Sequence, residues 1–289
     1  MSPTVASSPP WPSIGCASTL APMGGEPAIA DALGRHALQW FLAGLFVAVA
    51  LAGGGGRWLL GHTRLADRAR IASGARLALR LAAGFGVIVA AAALFAAVAG
   101  ELGDGETLAA LDAAVSRSVG QQASPSTLQA FAWLTRFGDT ATLMVLCIAV
   151  GLALVFRGER GLALAWVMAV GGNSLLNVTL KGIFERVRPV RDHAMAAAEG
   201  WSFPSGHSSG SVVAYGMLAY IAIRTLPRAW HVPAMIAAAA IAFTTGCSRI
   251  FLQVHYPTDV VAGFASGSAW LTACIVSFEA ARHYRRSRR

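Results

Sequence analysis

Charge is scarce in this chain. Only 13% of its 289 residues are Asp, Glu, Lys or Arg, where a soluble domain carries roughly 25%, and that scarcity excludes an ordinary water-soluble globule. Acids are the scarcer sign, 14 against 23 bases, for a net charge of +9. Cysteine is also rare. Cys147, Cys247 and Cys274 fall in apolar stretches and Cys16 near the start, without ligand spacing, so they read as packing residues rather than a disulfide framework or a thiolate metal site. No Asp/Glu or His/Cys cluster has the pattern of a metal site, and neither a metal nor a cofactor is expected. No repeat of fixed period is evident.

What the chain has in abundance is apolar surface: 55% hydrophobic residues and a mean hydropathy of +0.56. Runs of about 17 to 25 such residues are long enough to cross the hydrocarbon of a bilayer. Seven runs near that length stand out, at Ala37 to Leu60, Leu77 to Ala99, Thr140 to Phe156, Leu162 to Leu180, Ser209 to Ile223, Val232 to Gly246 and Val260 to Phe278. They predict an all-α, polytopic membrane bundle, because a helix satisfies its own backbone where no water is available. Gly53 to Gly56 interrupts the first run and predicts an early end to that helix. Residues 1–36, rich in Pro, Ser, Gly and Ala without periodicity, predict a disordered tail. No positive region precedes an apolar stretch there, so no signal peptide is expected. In the polar stretch Gly100 to Asp139, Leu108, Leu111 and Val115 and then Leu128, Phe131 and Leu134 recur at helical spacing. That predicts short surface helices, which either roof a site or act as a packed connector.

Basic residues set the orientation, since cytoplasmic loops collect them. Fifteen of the 23 fall on one alternating face, in segments 57–80, 157–160, 224–228 and 282–289, with only Asp67, Glu159 and Glu279 as acids. That face is expected to be cytoplasmic, and attraction to anionic lipid accounts for the net charge without nucleic acid. The opposite face, periplasmic if the host is a bacterium and the membrane its inner one, carries the N-terminus and three polar blocks.

Those blocks sit where apolar runs meet water. Lys181 ends one run and Arg188 follows seven positions later, on the same side if the helix continues until Pro189 stops it. A lone lysine there is a snorkelling anchor, but three clustered cations, with Arg249 as the third, repel one another unless an anion is present. Pro204-Ser205-Gly206-His207 opens the run at Ser209. It reads both as an ordinary helix start, with Ser208 or Ser209 as cap, and as an anion site of free N–H groups at which Gly206 allows close approach and Ser205 adds a hydroxyl. Ser248-Arg249 leads to His255 and, four residues on, Asp259. At that spacing the carboxylate either meets the imidazole once Pro257 starts a helix or is only a favourable first-turn charge. The other histidines, His36, His62, His193, His231 and His283, read as interfacial polar residues. Asn173 and Asn177 fall in line with Lys181 and suggest hydrogen bonding between helices or the lining of a polar cavity, and Gly263 with Gly267 suggests close helix packing.

The order and spacing of these blocks resemble the type-2 phosphatidic acid phosphatase superfamily, which includes lipid phosphate phosphatases and, more distantly, vanadium haloperoxidases and acid phosphatases. Lys181-Gly-Ile-Phe-Glu-Arg-Val-Arg188-Pro189, Pro204-Ser205-Gly206-His207 and Ser248-Arg249-Ile-Phe-Leu-Gln-Val-His255-Tyr-Pro-Thr-Asp259 fit that family's three elements without a gap. The resemblance implies a six-helix phosphatase core over residues 77–281; outside it, apolar length and charge predict an extra transmembrane helix and basic linker at 37–76 and a basic tail at 282–289. It implies His255 as nucleophile, Asp259 as the holder of its ring and His207 as general acid. Lys181, Arg188, Ser205, Gly206 and Arg249 would hold phosphate oxygens. The expected activity is hydrolysis of a lipid phosphate or diphosphate, such as undecaprenyl diphosphate, phosphatidic acid, phosphatidylglycerol phosphate or a lipid A phosphate, through phosphohistidine. The competing readings are a scaffold or transporter with an anion site and a vanadate-binding enzyme.

Overall fold

The computed structural model of the protein describes residues 26–68, 73–104, 106–190 and 199–288; expectations for residues 1–25, the linker 69–72 and His193 fall outside these. Among the described residues the chain is helical, with no strand. Ten α-helices follow in order: α1 (Glu26–Arg35), α2 (Ala37–Arg68), α3 (Ser73–Asp104), α4 (Glu106–Gln122), α5 (Pro125–Leu134), α6 (Thr140–Phe156), α7 (Arg160–Phe184), α8 (Gly206–Thr225), α9 (His231–Phe251) and α10 (Pro257–Ser287). All seven apolar runs lie in helices. Helices α2, α3, α7, α9 and α10 are each long and apolar enough to span a membrane; α6 qualifies only jointly with α5 and the 3-10 turn Thr135–Gly138, across a 41° bend.

Helix α8 fails that test because its first half is polar, and its position explains why this is tolerated. It occupies the middle of the bundle, packed by α7, α9 and α10, so Ser208, Ser209 and Ser211 are buried in protein rather than lipid. Around it Val213, Ala214 and Met217 meet Trp166 and Ala169 of α7, all fully buried. The Trp166 indole N–H donates to Cys147 O of α6 at 2.9 Å. The outward faces present exposed Leu51, Leu79, Phe85 and Leu175, as a lipid solvent requires.

Close approach of α10 to α8 depends on two glycines. A Cβ at Gly263 would stand 2.6 Å from Ser205 O, and one at Gly267 would stand 2.8 Å from Ser209 O and 2.9 Å from Ser209 Cα. Across the other side of α8, Asn173 Nδ2 donates to Ser209 Oγ at 3.4 Å, and Asn177 Nδ2 donates to Ser209 Oγ at 3.4 Å and Pro204 O at 3.5 Å. The asparagine stripe therefore bonds α7 to α8.

Two local expectations fail. Helix α2 does not end at Gly53 to Gly56 but runs through them. Gly53 and Gly56 face α9, where a Cβ would meet Ile236 Cδ1 at 3.2 Å and Met235 Sδ at 3.0 Å, so the glycines serve helix contact. The tail expected through residue 36 contains α1, a helix packed on α4. There Gln122 Nε2 donates to Asp31 Oδ1 at 3.4 Å.

Helices α4 and α5 lie over the end of α9. Phe131 stacks on Phe251 with centroids 4.1 Å apart, inside a buried cluster with Val119, Leu252 and Val254. Replacing Gly267 with Ala is expected to lower stability by about 1–3 kcal/mol, as an extra methyl in a packed contact does. Gly171→Ala, where a Cβ meets nothing within 4 Å, is expected to be neutral or to stabilise by up to about 1 kcal/mol. Thermal unfolding of both variants in detergent checks the pair, and equal midpoints would contradict the packing assignment.

Candidate active site

Four helix ends meet at one face of the bundle: the C-termini of α7 and α9 and the N-termini of α8 and α10. This convergence follows from antiparallel helices joined in sequence, and it gathers Lys181, Arg188, Ser205, Gly206, His207, Arg249, His255 and Asp259 from across 79 positions of sequence.

The route of Arg188 differs from the expected continued helix. Helix α7 stops at Phe184, where Glu185 takes the left-handed conformation at φ 42° and its N–H caps Lys181 O at 3.1 Å. Residues 185–190 then run without regular structure. Arg188 reaches the site from this segment rather than from the helix face that carries Lys181. Its Nε donates to Gly200 O at 2.9 Å, Nη2 to Glu199 O and Trp201 O at 3.0 and 3.1 Å, and Nη1 to Val254 O at 2.6 Å and His255 Nε2 at 3.1 Å. Lys181 Nζ also donates to Trp201 O.

Ser205, rather than Ser208 or Ser209, caps α8. Its Oγ accepts from Ser208 N at 3.3 Å and Ser208 Oγ at 2.9 Å, which leaves its own proton as a donor. Its backbone N–H donates to Asp259 O at 2.9 Å. Gly206 has a packing reason besides any ligand, since a Cβ there would stand 2.9 Å from Asn177 Oδ1. Phe203, fully buried against Phe95 and Phe184, anchors the approach to α8. His207 Nε2 lies 2.9 Å from Asp139 Oδ1. Arg249 is 3% exposed; its Nη1 donates to Thr135 Oγ1 at 2.6 Å, and its buried Nε has no hydrogen-bond partner among the described residues. A buried guanidinium with a free donor is suited to receive an anion.

His255 follows Gln253, a buried residue at φ 49° whose Nε2 donates to Ser116 O of α4 at 3.1 Å. The imidazole Nδ1 lies 3.3 Å from Asp259 Oδ2 and Nε2 lies 3.1 Å from Arg188 Nη1. Arginine only donates and an ionised carboxylate only accepts. The proton therefore sits on Nδ1, and Nε2 carries a lone pair toward Arg188. Burial drives the His255 pKa down to about 3, against the pull of Asp259, so the ring is neutral at physiological pH.

Sequence reading missed the residues that hold this pair. Arg186 Nη1 donates to Asp259 Oδ1 at 2.6 Å, and its Nη2 donates to Asp112 Oδ2 of α4 at 2.8 Å, with the guanidinium 4.2 Å over the Tyr256 ring. Ser202 Oγ and Tyr256 N donate to Asp259 Oδ2, the latter at 2.8 Å. Thr258 N donates to Asp112 Oδ1 at 3.3 Å. The Asp139 carboxyl is held below its ordinary range by its bond to His207. A signal for Asp112 existed: it falls among Leu108, Leu111 and Val115 at helical spacing, an acid on a face expected to be apolar.

Residues 160–283 match the family profile of the PAP2 superfamily. The chain is 34% identical to phosphatidylglycerophosphatase B of Bacillus subtilis over 159 residues, covering 54% of this chain and 77% of that protein. It is 32% identical to lipid A 1-phosphatase of Rhizobium etli over 173 residues, covering 49% and 68%. A crystal structure of a transmembrane PAP2-type phosphatidylglycerolphosphate phosphatase from Bacillus subtilis superposes with a TM-score of 0.60 at 29% identity, over 65% of this chain and 94% of that one.

The tautomer is testable by nitrogen-15 NMR of histidine-labelled protein. His255 should keep one protonated and one unprotonated ring nitrogen from pH 8 down to pH 5, and a doubly protonated ring at pH 5 would contradict the assignment. The linkage has a definite sign. Between about pH 6.5 and 3 the unfolded chain binds a proton at this position that the folded chain does not, so this group's contribution to stability falls as pH drops through that window.

Proposed function

This chain belongs to the PAP2 superfamily, as an integral membrane phosphatase, and from that premise we propose that it removes a phosphate from a lipid at the bilayer surface through a phosphohistidine on His255. The observation that carries the proposal is the His255 ring itself: a lone pair on Nε2 facing the Arg188 guanidinium, with Asp259 behind Nδ1. A phosphate held by Arg188 lies beside the attacking nitrogen.

In this scheme Nε2 attacks phosphorus and the bond to the lipid oxygen breaks. His207 gives that oxygen its proton, and the lipid alcohol or monophosphate departs. The phosphorylated ring is cationic, and Asp259 answers the charge through Nδ1–H. Water then attacks the phosphoryl group, His207 takes its proton back, and inorganic phosphate leaves. Lys181, Arg188, Arg249, the Ser205 hydroxyl and the Gly206 N–H hold the equatorial oxygens throughout. Every donor of Arg188 is engaged by backbone carbonyls and His255, so binding exchanges the Glu199 to Trp201 carbonyls for phosphate oxygens. Asp139 orients His207, and Arg186, tied to Asp112, orients Asp259. No step calls for a metal.

The substrate class follows from chemistry shared with the relatives, whose names specify phosphatidylglycerophosphate and lipid A 1-phosphate. Both are lipids that carry a phosphate. Phosphatidylglycerol phosphate is the first candidate, ahead of phosphatidic acid, lipid A phosphate and undecaprenyl diphosphate. The site faces the periplasm of a bacterial inner membrane and the arginine-rich end faces the cytoplasm, in line with the asymmetry of basic residues.

His255→Ala is expected to lower turnover by about 10³-fold or more and to abolish phosphoenzyme, and His207→Ala by about 10²- to 10⁴-fold. Radiolabelled lipid phosphate should leave acid-labile label on the His255 peptide of the wild type, and retention of that label in His255→Ala would refute the nucleophile assignment. Phosphate release in detergent should be fastest from phosphatidylglycerol phosphate among the four lipids and unchanged by chelator; loss of activity with chelator would contradict the metal-free scheme.

A further inference from the structure

The opposite end of the bundle carries a hollow with no part in that chemistry. A cavity of about 980 Å³ opens between the first turns of α7 and the C-terminal half of α10. Its wall is apolar where it enters the membrane, with Leu164, Met168, Trp270 and Phe278. The Trp270 N–H is already given to Ala169 O at 2.8 Å, so the indole adds little polarity to that wall. At the mouth the lining is cationic, with Arg160, Arg224, Arg282, Arg285 and Arg286 against one acid, Glu159.

These arginines are not equivalent. Arg224 and Arg282 are engaged by Glu279 of α10, at 3.6 and 3.4 Å, and Glu279 also accepts from the Tyr220 hydroxyl. The guanidinium groups of Arg160, Arg285 and Arg286 have no hydrogen-bond or ion-pair partner among the described residues. Three uncommitted guanidiniums thus line the mouth of a trough that runs into the hydrocarbon. A small soluble anion would leave the trough unfilled, and a purely apolar ligand would leave the cations unanswered. A zwitterionic headgroup would bring its own cation toward the arginines. The chemistry that matches both halves is a phosphate on a diacylglycerol with no cationic group.

We infer that this cavity holds one anionic glycerophospholipid of the leaflet at the basic face, its tails along α7 and α10 and its phosphate bridging Arg160, Arg285 and Arg286. Such a lipid ties together the two helices that carry Lys181 and Asp259 at their far ends, and it is distinct from the lipid dephosphorylated there.

Native mass spectrometry of the full chain in mild detergent, with phosphatidylglycerol or phosphatidylcholine added, tests this. One phosphatidylglycerol is expected to be retained about tenfold or more in preference to phosphatidylcholine, and to raise the thermal midpoint. The variant Arg160→Ala/Arg285→Ala/Arg286→Ala should lose that preference. Ala273→Trp, which fills the trough and keeps every arginine, should expel the lipid even if the triple variant does not fold. His255→Ala should retain it, which separates this site from the phosphatase reading: phosphate release can fail without altering retention, and retention can fail without altering phosphate release. Equal retention of phosphatidylcholine, undiminished retention in Ala273→Trp, or a dimer of the chain that excludes lipid would each overturn the inference.

Discussion

A carboxylate removed from water must have its charge answered by the protein, and Asp259, fully buried, is answered by four groups. Arg186 reaches it from the segment after α7, Ser202 from the approach to α8, and Tyr256 N and His255 from the turn between α9 and α10. Three stretches of chain, the segment after α7, the approach to α8 and the turn into α10, are fixed relative to one ionised group. The tautomer of His255, and with it the direction of the Nε2 lone pair, follows from that arrangement.

The network extends outward rather than ending at the site. Arg186 passes from Asp259 to Asp112, which also receives Thr258, so the surface helix α4 is bonded to the base of α10. Gln253 bonds the His255 turn to Ser116 of the same helix. Below, Gly263 and Gly267 bring the α10 backbone against α8, so that Ser205 N reaches Asp259 O. Polar bonding above and glycine packing below place the two histidine-bearing segments on one rigid unit.

The bundle was legible in the sequence because lipid imposes one solution on a long apolar run, and all seven runs are helical. Less legible was α8, whose serines make sense only once its central position is known. The residues of the three blocks meet as their placement at run ends implied. Arg186, Asp112, Ser202 and Asp139 did not stand out, since a buried acid or arginine looks like a surface one until its partner is located. The continuation of α7 to Arg188 failed at Glu185, where a left-handed cap formed without the Gly or Asn that marks such a position. Helix α1 was hidden by the Pro, Ser and Gly content around it, and Gly53 to Gly56 looked like a break because glycine at a helix contact and glycine at a helix end are the same letter.

If Arg188 holds phosphate as proposed, the hold of the Glu199 to Trp201 carbonyls on it bears on how the site empties. A guanidinium whose N–H groups stood unpaired in an empty, dry pocket would grip an oxyanion with its whole hydrogen-bonding capacity, and a spent orthophosphate would linger. Here neutral oxygens stand ready to recapture the same N–H groups, so the tightness of the grip is only a difference between two sets of partners. Departure becomes an exchange rather than a rupture, which suits a catalyst that must vacate its pocket after every cycle.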